Sequence, residues 1–176
     1  MTSQAFESQV TTCPKPTPAA LPLAGEVTAS DFAGWTPELR QEFAANGRNY
    51  RVGSRLLSET DRVKVWEIRL APGERLPAHK HVLDYFWTVL TDGESVQHQE
   101  DGVTREVSYK AGETRHYTFG PSDYLMHDLC NSGTSNLIFI TVEHKRGPGA
   151  PVPREATAPL PQFPLTALGI SSHPCH

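Results

Sequence analysis

The stretch Gly-Glu-Arg-Leu-Pro-Ala-His-Lys-His, residues 73–81, decides the fold of this chain. Two of its histidines, His79 and His81, are separated by a single residue. Because successive side chains of a β-strand point to opposite faces of the sheet, both imidazoles lie on one face and can reach a single ion. A third histidine, His127, precedes another β-type run, residues 128–131, and is a candidate ligand from a neighbouring strand. This spacing predicts a metal centre inside a β-barrel.

Apolar and polar residues alternate on both sides of this stretch. From Tyr50 to Leu70, and again from Ser95 to Glu143, short β-type runs are separated by turn signals such as Asp101-Gly102. About eight or nine short strands at regular spacing are typical of a sandwich or barrel. The sequence therefore predicts an all-β fold, closed most simply as a jelly roll.

The chain divides into three segments. Residues 1–30 are rich in Thr, Ser, Pro and Ala without periodicity, which predicts an extended, partly disordered N-terminal arm. Residues 31–145 form the barrel domain, which includes one short N-terminal helix that begins at Thr36-Pro37 and ends at Asn46-Gly47. Residues 146–176 form a Pro-rich tail that cannot pair into a sheet and is expected to wrap the barrel or a partner.

The composition excludes several classes of function. A length of 176 residues suits one domain, and a net charge of -4 with scattered Lys and Arg predicts no nucleic-acid partner. The sequence shows no signal peptide and no apolar run near the roughly 20 residues of a membrane helix, so no membrane partner is expected. The three cysteines are odd in number and imply no disulfide framework, which makes the cytoplasm the expected location. They are Cys13, Cys130 and Cys175.

From Gly73 to Val142 the chain resembles a cupin, of the RmlC-like type. The first cupin motif runs Gly, five residues, His, one residue, His, three or four residues, Glu, six residues, Gly. Four positions match it in register, namely Gly73, His79, His81 and Gly93. The motif Glu is absent, and Tyr85 or Phe86 stands in its place.

The second cupin motif is matched less closely. Gly112, Gly120 and the pair His127 and Asn131 match it, whereas Thr118 replaces the motif Pro and extra residues separate Gly120 from His127. Without that insertion, Asp123 would occupy the histidine position. We prefer the insertion, because the apolar run after Asn131 resembles the usual ending of the motif.

The resemblance implies a double-stranded β-helix with one divalent metal ion held by His79, His81 and His127. Fe2+ is favoured, with Zn2+, Mn2+, Ni2+ and Cu2+ as alternatives, since imidazole suits all of them. Cupins with three histidines resemble iron dioxygenases that act on diketones, hydroxyketones or thiols, and others resemble zinc lyases, isomerases or cyclases. A non-enzymatic cupin that binds a metabolite is the third alternative. A small-molecule substrate and a homodimer are also implied.

Four further residues are candidates for the site, although no catalytic residue is assigned. His98 and Tyr85 are candidates for a fourth ligand or a proton relay, against the alternatives that His98 lies on the surface and that Tyr85 only fills the barrel. Tyr124 and His116 flank the irregular segment 120–123, which is either a lid over the pocket or a simple connection.

Overall fold

A computed structural model describes residues 23–120 and 122–145. This part of the chain contains one helix, α1 (Pro37–Ala45), and ten strands. The strands are β1 (Glu26–Ala29), β2 (Arg55–Glu59), β3 (Val63–Leu70), β4 (Arg75–His81), β5 (Tyr85–Val89), β6 (Gly93–His98), β7 (Thr104–Tyr109), β8 (Thr114–Tyr117), β9 (Leu125–Asn131) and β10 (Leu137–His144).

The strands form two antiparallel five-stranded sheets. One sheet has the order β1-β7-β6-β9-β4 and the other β2-β3-β10-β5-β8. Without the edge strands β1 and β2, each sheet has four strands, and the two sets have the order of a jelly roll, in which sequential strands cross between two packed sheets. The predicted all-β double-stranded β-helix is therefore confirmed.

The inward faces of the two sheets pack into one core that differs along its length. One end is filled by apolar side chains from both sheets, among them Ile68, Val89, Leu129, Leu137 and Phe139. The other end carries the three histidines, and beside them pack Leu23, Tyr85, Phe119 and Leu125. The barrel interior thus has an apolar region and a region that contains polar groups.

Helix α1 begins where the sequence predicts. The Thr36 side chain accepts a hydrogen bond from the Leu39 amide (3.2 Å), and Pro37 occupies the first helical position. Its buried residue, Phe43, packs with Trp35 against Ala78 and Met126 on the outer face of β4 and β9. The helix therefore lies directly behind the strands that carry the histidines.

Several predictions about the ends of the chain fall outside the described residues. The tail 146–176 lies outside them, as do residues 1–22 of the predicted arm, whereas residues 26–29 of that arm form β1 and pair with β7. Cys130 is 1% exposed and disulfide-bonded, which the odd cysteine count did not predict. No helix among the described residues is long and apolar enough to cross a membrane.

Candidate metal centre

A β-bulge in β4 places the first histidine. Leu76 pairs with Leu129 and His79 pairs with His127, so β4 has one more residue than β9 between these two pairs. This extra residue brings Leu76 and His79 to the same inward face although they are three positions apart. His81 follows two positions later and also points inward.

Helix α1 and the segment after it hold the bulge from outside the barrel. The Ala78 amide donates to Oε1 of Glu42 (2.8 Å), and the Ala78 carbonyl accepts from the side-chain amides of Asn46 (3.0 Å) and Asn49 (2.9 Å). Ala78 itself is fully buried. The backbone just before His79 is thus fixed by three side chains, and its buried polar groups are satisfied.

The three histidines converge on one point. One ligand atom from each of His79, His81 and His127 lies within 4.8 Å of the other two, and all three side chains are buried. Nε2 of His81 lies 3.2 Å from Nε2 of His127. Two nitrogens bound to one ion at about 2.0–2.1 Å stand about 2.8–3.4 Å apart in octahedral to tetrahedral geometry, so the observed distance fits a shared metal.

Two of the imidazoles have their tautomer set by an acceptor. Nδ1 of His79 lies 2.9 Å from the Pro77 carbonyl, and Nδ1 of His127 lies 3.0 Å from Oε1 of Gln97. Because a carbonyl oxygen only accepts, each Nδ1 carries the proton, and each Nε2 presents a lone pair. Nδ1 of His81 is buried without a partner among the described residues, so no acceptor fixes that ring.

Burial keeps all three imidazoles neutral. It lowers the pKa of His79 to about 4 and that of His127 to about 3, and it holds the pKa of His81 well below its usual value. Neutral imidazole is the form that binds metals. No carboxylate belongs to the cluster found in the described part of the chain, so these donors fit a divalent transition-metal ion rather than Ca²⁺ or Mg²⁺.

The histidines line a cavity that is partly open to solvent. Its walls are mostly apolar and aromatic, with Trp87 and Phe139 from one sheet and Leu129 from the other. Tyr85 also lines it, and the Tyr85 ring stacks on His81 at 4.2 Å between ring centroids. Tyr85 therefore faces the cavity beside the candidate ligands, in the neighbourhood that the sequence predicted for it.

A second cluster of polar side chains lies inside the barrel on β6 and β7. Gln97, whose Oε1 binds His127, donates from Nε2 to Oη of Tyr109 (2.7 Å) and to Oγ of Ser95 (3.2 Å). The Ser95 and Tyr109 oxygens lie 3.0 Å apart. Each of these three residues is at most 4% exposed, and Gln97 and Tyr109 line the cavity.

The structure does not bring His98 to the cluster. Its side chain points to the outer face of the sheet, where Nδ1 lies 2.9 Å from Oδ2 of Asp128 and the ring packs against Trp35. The inward positions of β6 are those of Ser95 and Gln97, which agrees with the alternative that His98 faces outward. A role for His98 as fourth ligand is therefore corrected to a place in the outer network.

The two lid candidates also lie away from the cavity lining. His116 is exposed on β8 and packs against Phe86 (5.2 Å between centroids) on the outer face. Tyr124 is 36% exposed, and its ring contacts the Lys80 ammonium. Asp123, the alternative for the motif histidine, accepts from the Gly120 amide (2.9 Å) within its loop, so the insertion before His127 is the better alignment.

Sequence reasoning missed three polar residues that face the interior of the barrel. Gln97 and Tyr109 escaped because alternation of residues did not show which faces of β6 and β7 point inward. Glu143 faces inward on β10, accepts from Nε1 of Trp66 (2.8 Å), and has a pKa raised to about 7 by burial. The signal that could have revealed them is a polar residue at inward positions of an otherwise apolar strand.

Comparisons with known proteins were made for sequence families and for structures. No protein-family model matches the chain, and no curated protein matches it. A cupin domain from Bordetella pertussis Tohama I is a similar solved structure, with 24% identity over 52% of this chain and 91% of that chain and a TM-score of 0.47.

Two further solved structures are similar. A conserved protein with a double-stranded β-helix domain from Klebsiella pneumoniae is 29% identical, over 51% of this chain and 72% of that one, with a TM-score of 0.41. An RmlC-like cupin family protein from Methanocaldococcus jannaschii is 23% identical, over 51% and 76%, with a TM-score of 0.42. The strand order and the histidine cluster described above confirm the cupin resemblance in this chain itself.

Proposed function

We propose that this cupin is a mononuclear metal-dependent enzyme that acts on a small organic molecule in the barrel cavity. The observation that carries the proposal is the convergence of three buried, neutral histidines on one point, with the Nε2 lone pairs of His79 and His127 fixed by acceptors on Nδ1. His79, His81 and His127 would hold the ion.

Within this class we favour an Fe2+-dependent dioxygenase for a diketone, hydroxyketone or thiol. A bound ion would supply Lewis-acid polarisation of the substrate and, for iron, activation of dioxygen. Three neutral ligands leave adjacent positions for both reactants, which is the reason for the preference. A zinc-dependent lyase, isomerase or cyclase is the alternative with the same ligands.

The protein residues would contribute position and environment. Gln97 and the Pro77 carbonyl hold two of the ligand rings in place, as outer-shell partners do in metal sites generally. The walls formed by residues such as Trp87, Leu129 and Phe139 exclude water from the bound substrate. Tyr85 covers one face of His81 and limits the directions from which a substrate can approach.

The shape of the cavity favours binding of a ligand over a barrel that is filled by its own side chains. A non-enzymatic cupin would be favoured if Tyr85, Phe86 and Trp87 plugged the barrel. Phe86 instead points outward between His116 and His144, and space remains between Tyr85, Trp87 and the histidines. A ligand-binding cavity beside the candidate metal centre is what an enzyme of this class requires.

The test is elemental analysis of the full chain purified without an affinity tag or added metal. His127→Ala should lose the metal, and His116→Ala, which removes an exposed histidine, should keep it. Near-stoichiometric iron with this pattern supports the dioxygenase, and oxygen uptake is then screened with diketones, hydroxyketones and thiols. Zinc with this pattern supports non-oxidative chemistry, and wild-type protein without metal would overturn the proposal in favour of a metabolite-binding cupin.

Two further proposals concern the setting of the enzyme. A homodimer and a cytoplasmic location stay predictions from the sequence, and the disulfide at Cys130 removes the cysteine argument for the second. Sedimentation equilibrium of the purified chain would decide the first, and fractionation of the source cells would decide the second.

A further inference from the structure

The Ser95, Gln97 and Tyr109 side chains form a closed triangle of hydrogen bonds next to the candidate ligand His127. The Gln97 amide is oriented by His127, because Oε1 accepts the proton on Nδ1 (3.0 Å). Both protons of the Gln97 amide nitrogen are then used, one on Tyr109 (2.7 Å) and one on Ser95 (3.2 Å). The two hydroxyl groups bond to each other at 3.0 Å.

Counting protons in this triangle leaves one hydroxyl donor unused. Ser95 and Tyr109 have one hydroxyl proton each, and a single bond between the two oxygens uses only one of them. No other acceptor for either hydroxyl is found among the described residues. The group is buried in an apolar barrel, where an unused donor is costly, so an acceptor from outside the protein is expected at this point.

When the Ser95 hydroxyl donates to the Tyr109 oxygen, the hydroxyl proton of Tyr109 is the one left unused. Tyr109 lines the cavity and Ser95 does not, so the cavity is the direction in which an external acceptor can lie. In this arrangement the Tyr109 oxygen accepts two hydrogen bonds, from Gln97 and Ser95, which strengthens its own O–H as a donor. Burial also raises the pKa of the Tyr109 hydroxyl above its usual value, so this group stays protonated.

We propose that Tyr109 is a substrate-binding residue whose hydroxyl donates to a neutral carbonyl oxygen of a small, largely apolar molecule held in this cavity. The inference rests on the proposed function and deepens it by naming the substrate class. No Asp, Glu, Lys or Arg is among the described residues that line the cavity. The proposed ion would lie at the histidines, and Gln97 separates His127 from Tyr109, so the Tyr109 hydroxyl itself has no cation beside it among these wall residues. One neutral donor suits a carbonyl oxygen better than a carboxylate, whose desolvation it would not compensate.

Three substitutions separate this role from a structural one. Tyr109→Phe removes the donor. Gln97→Glu keeps an acceptor for Nδ1 of His127 but replaces the amide donor by a carboxylate oxygen, which captures the Tyr109 proton. Ser95→Ala removes a neighbour and leaves the Tyr109 O–H free to face the cavity.

The experiment compares cyclohexanone with methylenecyclohexane, which has the same shape but carries CH₂ in place of the carbonyl oxygen. Affinities for the metal-loaded full chain are measured by ligand-observed NMR, and the metal content of each sample is determined in parallel. Wild type should bind the ketone about three- to tenfold more tightly, the worth of one neutral hydrogen bond. Ser95→Ala should keep this preference, whereas Tyr109→Phe and Gln97→Glu should lose it.

Several outcomes would overturn the inference. Equal affinities for the two probes in wild type, or no binding of either, would do so, as would a preference that survives in Tyr109→Phe. Tyr117→Phe, which alters another tyrosine of the cavity lining, should retain the preference, and its loss there alone would assign the donor to Tyr117 instead. A ketone preference in protein that holds no metal would leave this inference standing while the proposed function fails.

Discussion

Strands β4 and β9 carry a polar cluster on each of their two faces, and the two clusters are built in opposite ways. The inner cluster is His79, His81 and His127, three neutral bases with no compensating acid. On the outer face, Arg75 forms a bidentate pair with Glu42 (2.8 and 2.9 Å) and also binds Asp128 (2.7 Å).

The polar groups of the outer cluster are paired with one another. Asp128 is fully buried and also accepts from the amide (2.7 Å) and Nδ1 (2.9 Å) of His98. Burial alone would raise the pKa of Asp128, yet the bonds from His98 and the charge of Arg75 hold it below its usual value. Every charge in this network has a partner within the protein, whereas the inner cluster directs ring nitrogens with lone pairs at one point without an acid among them. This contrast distinguishes a structural network from a binding site, although each cluster contains histidine.

The largest effect should come from removing two inner histidines. His79→Ala combined with His81→Ala should abolish tight metal binding and leave a folded barrel, because one imidazole does not make a site. Metal content by elemental analysis and circular dichroism of the same sample measure the two parts. His98→Ala, which removes a histidine from the outer cluster, should keep the metal; retained metal in the double variant would contradict the site.

The next effect is a pH dependence of the metal-free protein. The folded pKa values of the inner histidines lie below the usual 6.5, so the unfolded chain binds protons first as the pH falls. The histidine contribution to stability should be complete above about pH 6.5 and should fall toward pH 4, on the order of 1 kcal/mol per pH unit for each histidine. The pKa of Glu143 is raised from 4.5 to about 7, so its contribution to stability falls as the pH rises between these values. This is opposite in sign to the histidine contribution, but it comes from one group and the histidine contribution comes from three.

Urea unfolding of chelator-treated protein at several pH values measures this slope. The variant that lacks His79 and His81 should lose about two thirds of the histidine contribution, and His116→Ala should lose none of it. A stability that does not change between pH 7 and pH 5 in wild type would contradict the neutral, buried state of the inner cluster.

A change in the outer cluster should affect stability and leave the metal in place. Asp128→Asn removes the buried charge opposite Arg75 and His98 and should cost about 3 kcal/mol in the free energy of unfolding. The matched control is Asp92→Asn, where the carboxylate pairs with Lys110 at the exposed surface and no measurable change is expected. Loss of metal from Asp128→Asn at full stability would show that the two faces are not separate in function.

The smallest effect should come from the start of the helix that supports the bulge. Thr36→Ala removes the N-cap of α1 and should cost about 1 kcal/mol in thermal or urea unfolding. Thr36→Ser keeps the capping hydroxyl and should retain most of that stability. An equal loss in both variants would assign the effect to packing rather than to the cap.

The sequence predicted those features that depend on local patterns. Alternating residues between turns predicted the jelly roll, Thr36 and Pro37 predicted the start of α1, and the spacing of His79 and His81 predicted two histidines on one face. The place of His127 opposite His79 depended on the motif resemblance, and the strand pairing confirms it.

The features that sequence reasoning missed depend on pairing between distant strands. Residues 95–100 carry polar groups at both odd and even positions, so alternation cannot say which face of β6 points inward. The pairing of Ser95 with Asn131 sets this orientation, and with it the inward position of Gln97 and the outward position of His98. The bulge in β4 was missed for the same reason, since only the partner strand reveals the extra residue.

Because of the bulge, the number of residues between Leu76 and His79 also affects the metal centre. A deletion of one residue between Leu76 and His79 would restore a regular strand and still leave both histidines facing inward. It would, however, remove the displaced carbonyl that orients the His79 ring and the backbone groups that Glu42, Asn46 and Asn49 hold. Two homologues with identical ligands could therefore differ in metal affinity through a single insertion or deletion, which a comparison of ligand identities alone would overlook.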